Sequence, residues 1–132
     1  MNRAIDAVTV EITGNLLLSI AEEMGVTLIK SAYSTNIKER RDISTAIFDE
    51  QGNMVAQAEH VPMHLGSLLG IIKEIYKKFP PITIRKGDMF IGNDPYNGGG
   101  THLPDITIAA PVFSRERLIG WVANLAHHSD VV

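Results

Sequence analysis

Ile106-Thr107-Ile108-Ala109-Ala110-Pro111-Val112, followed after Ser114-Arg115-Glu116-Arg117 by Leu118-Ile119-Gly120-Trp121-Val122-Ala123-Asn124-Leu125-Ala126, is the stretch that decides the fold. Ile106, Ile108, Ala110 and Val112 recur at every second position, the period of a strand whose two faces differ. The polar quartet at 114–117 reads as a turn, and the apolar run after it returns alongside the first arm. An antiparallel hairpin is predicted. In its second arm Ile119, Trp121, Val122 and Leu125 fall on both faces, so both faces expect cover. That apolar surface predicts packing against further protein and self-association.

The rest of the chain supplies matching pieces. Ile43, Thr45 and Ile47 alternate into Asp49-Glu50-Gln51-Gly52-Asn53, and Met54 to Ala58 resumes the extended pattern, which predicts an earlier hairpin. Between Ala7 and Lys30, Val8, Ile12, Leu16, Leu17, Ile20, Met24 and Leu28 recur at steps of three and four, the spacing of one helix face. Gly14 and Gly25 each weaken that helix by about 1 kcal/mol relative to Ala, so a break is expected near Gly25. A second helix is predicted over Leu65 to Phe79, with Lys73, Glu74, Lys77 and Lys78 on its polar side and Pro80-Pro81 stopping it. Asp88 to Gly92 is a short strand candidate. The fold class is α/β of the α+β type: a mainly antiparallel sheet of hairpins packed against two helices, in a single domain spanning residues 1–132.

Bulk properties narrow the function classes. A chain of 132 residues with 45% hydrophobic composition can bury one ordinary core. A net charge of −3 gives no basic excess for nucleic acid or an anionic membrane surface. With no cysteine, any metal must be held by His, Asp, Glu or backbone oxygen. Asp6 stands where a secretory signal needs an apolar run, and the runs around Leu16 to Leu18 are short for a bilayer span, so a cytoplasmic protein is expected.

Chemistry concentrates in Gly92-Asn93-Asp94-Pro95-Tyr96-Asn97-Gly98-Gly99-Gly100-Thr101-His102-Leu103-Pro104-Asp105 and in Ala126-His127-His128-Ser129-Asp130. Carboxylates and imidazoles delivered from separate segments suit a divalent cation or acid-base work. His127 and His128, being neighbours in a strand, point to opposite faces. His127 shares the face of Ile119, Trp121, Ala123 and Leu125 and is the better ligand if the interior converges on the site; a bend at the strand end would exchange the two. Asp42 precedes the strand Ile43 to Phe48 as Asp105 precedes its own. Asp42, His102 and His127 would then form a two-histidine, one-carboxylate centre. His128, Asp130, Arg41 and His64 are candidates for supporting positions around it, with Arg40 or Arg41 able to grip a carboxylate through a bidentate fork. Asp94 is a turn former as well as an acid. Gly98 to Gly100 lack the Lys-Ser/Thr ending of a phosphate loop, so ATP binding by this chain is not expected.

The same residues carry a resemblance. Asn93-Asp94-Pro95-Tyr96 with Gly99-Gly100-Thr101-His102-Leu103-Pro104-Asp105 resembles the signature of the hydantoinase B and 5-oxoprolinase family, to which the large subunits of acetone carboxylases are related. The segments Ser31 to Ala46, Glu59 to Ser67 and Ala126 to Asp130 resemble three further blocks of that family, in family order. Members are several times longer, so the chain is similar to the amino-terminal part of such a subunit. The resemblance implies ATP-dependent opening of a cyclic amide such as a hydantoin or 5-oxoproline, in which a hydantoinase A-like partner binds ATP and activates the amide. A divalent ion (zinc, manganese or iron) held by Asp42, His102 and His127 would lower the pKa of a water, and Asp105 or Asp94 would take the proton. Two alternatives stay open: a catalytically silent metal-binding or docking domain, and part of an acetone carboxylase-like subunit. Under any of the three the isolated chain is expected to be inactive, and a homo-oligomer is expected.

Overall fold

The structure, a computed structural model, describes residues 4–59, 66, 68–97 and 99–129. Helix α1 spans Ala7–Ser31 and a short helix α2 spans Thr35–Lys38. Strands β1 (Ile43–Asp49) and β2 (Met54–Glu59) follow, then helix α3 (Ile71–Lys78) and strands β3 (Phe90–Gly92), β4 (Asp105–Ser114) and β5 (Arg117–His127). The sheet is antiparallel throughout, in the order β2-β1-β5-β4-β3. Both predicted hairpins form. They join through β1 and β5, with Ile43 opposite Ala126 and Phe48 opposite Trp121.

Cross-strand pairing aligns side chains on one face. Phe48, Trp121, Ala123, Leu125 and Ala109 lie together there and are capped by Ile71, Ile72 and Ile75 of α3. Trp121 is completely buried, its ring edge-on to Tyr76 and Phe90. The row Trp121, Ala123, Leu125 continues at the same period to His127, as the alternation predicts. Ile119 departs from it and is half exposed. Val112 pairs with Gly120 and Phe113 with Leu118, so Ile119 is the extra residue of a bulge, and Leu118 packs on the core in its place.

The opposite face carries α1. Asp6 caps this helix by accepting from the Thr9 N–H and hydroxyl. The break expected at Gly25 does not occur, because Gly25 and Ala21 are the residues α1 buries. Their small side chains let the helix backbone approach β1 and β2, where Ala21, Ile47 and Ala58 pack with Leu17 and Met24. Close packing replaces the helix stability that glycine gives up. The apolar stripe does not all point inward: Val8, Ile12, Leu16 and Ile20 are exposed. By length and composition alone α1 would suffice to cross a bilayer, longer than its broken apolar runs suggest, although its second half lies on the sheet.

The second helix is shorter than the predicted Leu65 to Phe79 and starts at Ile71. Gly66 and Gly70 both adopt positive φ, 82° and 93°, and Gly70 ends a turn rather than extending a helix. Leu65 lies outside the described residues.

Candidate functional site

Three segments meet at one end of the sheet. Asp105 opens β4 and pairs across the ladder with His127, the last residue of β5. The His127 N–H donates to the Asp42 carbonyl (3.1 Å), and the His128 N–H donates to the Pro104 carbonyl (3.0 Å). The Asp42 N–H in turn donates to the Asn36 carbonyl in α2 (3.0 Å). Residues more than eighty positions apart are thus registered by backbone hydrogen bonds, which locate them more rigidly than long side chains would.

At the centre His102 and His127 stand ring to ring, 4.9 Å between centroids and nearly perpendicular at 68°. His102 Nε2 lies 3.1 Å from Asp105 Oδ1, and His127 Nδ1 lies 2.7 Å from the His128 carbonyl oxygen. A carbonyl only accepts, so His127 carries its hydrogen on Nδ1 and keeps the lone pair on Nε2. The carboxylate likewise takes its bond from His102 Nε2–H, which leaves the lone pair on Nδ1. Asn36 Nδ2 also approaches His127 Nδ1, at 3.3 Å. That contact cannot coexist with the shorter bond as drawn, and turning the Asn36 amide over presents Oδ1 as a second acceptor of the same hydrogen.

Asp105 is completely buried, whereas the His102 ring is half exposed. The Thr101 N–H (3.1 Å) and hydroxyl (2.7 Å) both donate to Asp105 Oδ2. Thr107 donates to the Gly99 carbonyl, and the Asn93 side chain to that of Leu103, so the glycine loop is fastened at several points. Asn36 and Thr101 escape notice in the sequence. The only local hint is a hydroxyl four residues before Asp105, and Asn36 is brought to His127 by the fold alone.

The remaining candidates fall elsewhere. Asp94 accepts from the Tyr96 N–H (2.9 Å) and the Asn97 side chain (2.6 Å), closing its own turn. With Ile71, Ile75, Phe79, Phe90 and Gly99 it borders a cavity of about 300 Å³ on the α3 side, which none of His102, Asp105 and His127 lines. The Asn97 amide, then the Tyr96 N–H, hold the Asp94 carboxyl below its ordinary value of 3.8. A depressed value favours the folded turn above 3.8, and the preference is lost as pH falls through the lowered value. Hydrogen exchange at the Tyr96 amide should therefore accelerate, relative to the chain's other amides, only in that acidic range; an unchanged ratio there would count against the assignment.

Arg41 is exposed and adopts a positive φ of 55°, turning the chain into β1. His128 is partly buried, its ring 6.5 Å from that of His127. His64 and Asp130 lie outside the described residues. Among the described residues, no three His, Asp or Glu side chains converge as a cation site. The donor chemistry of the imidazole pair nevertheless fits a divalent ion: two lone pairs on adjacent rings, each ring held through its other nitrogen. The Asp42 backbone lies one hydrogen bond from His127, through its carbonyl oxygen.

The chain is 50% identical over 129 residues to an uncharacterised protein of Methanocaldococcus jannaschii, an alignment covering 96% of this chain and 23% of that protein. It is 46% identical over 128 residues to a 5-oxoprolinase of Saccharomyces cerevisiae, covering 96% of this chain and 10% of the enzyme. Among solved structures it superposes on an ATP-dependent caprolactamase from Pseudomonas jessenii with a TM-score of 0.83 and 31% identity, over 98% of this chain and 22% of that one. The chain therefore spans less than a quarter of the length of each of these relatives. Residues 6–132 match the family model described as Hydantoinase B/oxoprolinase, and the chain belongs to that family.

Proposed function

We propose that this chain supplies the hydrolytic, metal-holding side of an ATP-dependent cyclic amide hydrolase, working with a hydantoinase A-like partner that binds ATP. The observation that carries the reading is the pair of imidazoles His102 and His127, set at 4.9 Å with complementary free nitrogens at the junction of three segments. Likeness to a caprolactamase and to 5-oxoprolinases supports a small lactam or hydantoin ring as substrate.

In the proposed reaction the partner transfers the γ-phosphoryl group of ATP to the amide oxygen and releases ADP. One water adds to the activated carbon and the ring C–N bond breaks, leaving an amine and an acyl phosphate; a second water hydrolyses the acyl phosphate, releasing phosphate and giving the carboxylate. His102 through Nδ1, His127 through Nε2 and the Asp42 carboxylate would hold a zinc, manganese or iron ion. Such an ion would supply Lewis acidity and lower the pKa of a water beside the substrate. Asp105 fixes the His102 ring, and Asp94 shapes the loop. The exposed apolar residues of α1 favour burial in a larger assembly, within the longer subunit or between copies.

Elemental analysis of chain purified without chelator tests the site. One equivalent of a divalent metal is expected in the native chain, and a loss of at least about tenfold in metal retained when His102→Ala and His127→Ala are combined. Equal metal content in both proteins would overturn the assignment.

A further inference from the structure

We infer that Thr101 is a positioning residue for His102, acting through the buried Asp105; the inference rests on the metal-holding role proposed above for the imidazole pair. His127 needs no such help, because it sits in a strand and its backbone is fixed by Asp42 and Asp105. His102 sits in a loop with its side chain 49% exposed, and a half-exposed ring is free to rotate unless something holds it.

The Asp105 carboxylate holds it, and Thr101 holds the carboxylate. Both Thr101 donors converge on Oδ2, the hydroxyl at 2.7 Å and the N–H at 3.1 Å, which fixes the plane of the carboxylate and turns Oδ1 to His102 Nε2 at 3.1 Å. Gly100 makes the approach possible. Its φ is +135°, and a side-chain carbon there would lie 2.7 Å from the Asp105 Cβ, so the backbone can come this close only without one. The consequence is a single His102 tautomer, hydrogen on Nε2 and lone pair on Nδ1, set before any ligand arrives. Outer partners of this kind commonly contribute roughly 10–100-fold in metal affinity.

The test uses the full chain, with zinc as the probe, in native, Thr101→Val and Thr101→Ser forms. Long-range ¹H–¹⁵N spectra of the metal-free histidines report the tautomers, and chelator competition reports zinc affinity. The native chain is expected to show His102 in the Nε2–H form. Thr101→Val, which drops the hydroxyl at similar volume, is expected to show mixed tautomers and roughly 10–100-fold weaker zinc binding. Thr101→Ser should restore both, which a merely structural role for the methyl group would not. If the valine variant fails to fold, Thr101→Ala carries the same expectation. A Thr101→Val chain that keeps the native tautomer and binds zinc within about twofold of native would overturn the inference. A native chain that binds no zinc, while the tautomer still responds to Thr101→Val, would refute the metal reading and leave the positioning role standing.

Discussion

Trp121→Ala should lower the unfolding free energy by about 3–5 kcal/mol, the usual cost of emptying a large aromatic site that cannot collapse. The site is closed on every side: the β-sheet floor with Phe48, helix α3 above, and the rings of Tyr76 and Phe90 edge-on at 5.7 and 5.6 Å. Its polar atom is also in use. Trp121 Nε1–H donates to the Tyr76 hydroxyl (2.8 Å), which donates to the Glu50 carbonyl in the β1–β2 turn (2.7 Å). The indole therefore ties α3 to the first hairpin as well as filling the core. Two companions separate packing from hydrogen bonding. Trp121→Phe keeps most of the aromatic packing and should cost clearly less than Trp121→Ala. Tyr76→Phe leaves the buried indole N–H without its acceptor and should cost about 1–3 kcal/mol. Urea unfolding followed by circular dichroism measures all three. A Trp121→Ala loss of about 1 kcal/mol or less would mean that the ring is not packed as described, since a domain of this size has only roughly 5–15 kcal/mol in total. The same row leads to the candidate site: Trp121, Ala123 and Leu125 form the buried track that ends at His127.

Much of this was legible in the sequence, and the boundary is physical. Period-two alternation identifies strands because burial of one face is a local property, and so β1, β2, β4 and β5 and the inward face of His127 could be read directly. The proximity of His102 and Asp105 to one turn follows from a separation of three residues. Other features depend on what arrives from elsewhere. Helix α1 could be placed but its buried face could not, because the sheet selects Ala21 and Gly25 for their size rather than the larger apolar residues around them. The bulge at Ile119 reverses a parity that the sequence alone leaves unbroken. Pairing of β1 with β5 brings Asn36 and Asp42 to His127, a contact across ninety-one positions for Asn36 with no local signature. Thr101 is the intermediate case: its distance from Asp105 is short enough to notice, but its role appears only when Gly100 is seen to bring its N–H to the carboxylate.

Incubated alone with ATP and either hydantoin or 5-oxoproline, the chain should yield no ring-opened product above background, and addition of a hydantoinase A-like partner is the step expected to change the chemistry available. The reason lies in the glycine loop. A phosphate-binding loop works by leaving successive backbone N–H groups free to face an anion. Here the Gly99 N–H donates to the Asp94 carbonyl (2.8 Å) and the Thr101 N–H to Asp105 Oδ2 (3.1 Å), so both are committed within the chain. A side-chain carbon at Gly99 would lie 2.4 Å from the Asp94 backbone nitrogen, and the one at Gly100 would meet Asp105. These glycines serve close packing of the loop on itself, and Asp105 places a carboxylate where a phosphate would need a cation. Without activation, an amide carbon is a poor electrophile, and a water beside His102 and His127 gains little by being well placed. Product formation should be followed by chromatography of the ring-opened acid, with ADP release measured in parallel. ATP-dependent ring opening by this chain alone would refute both the two-component reading and the internal role given to the glycine loop.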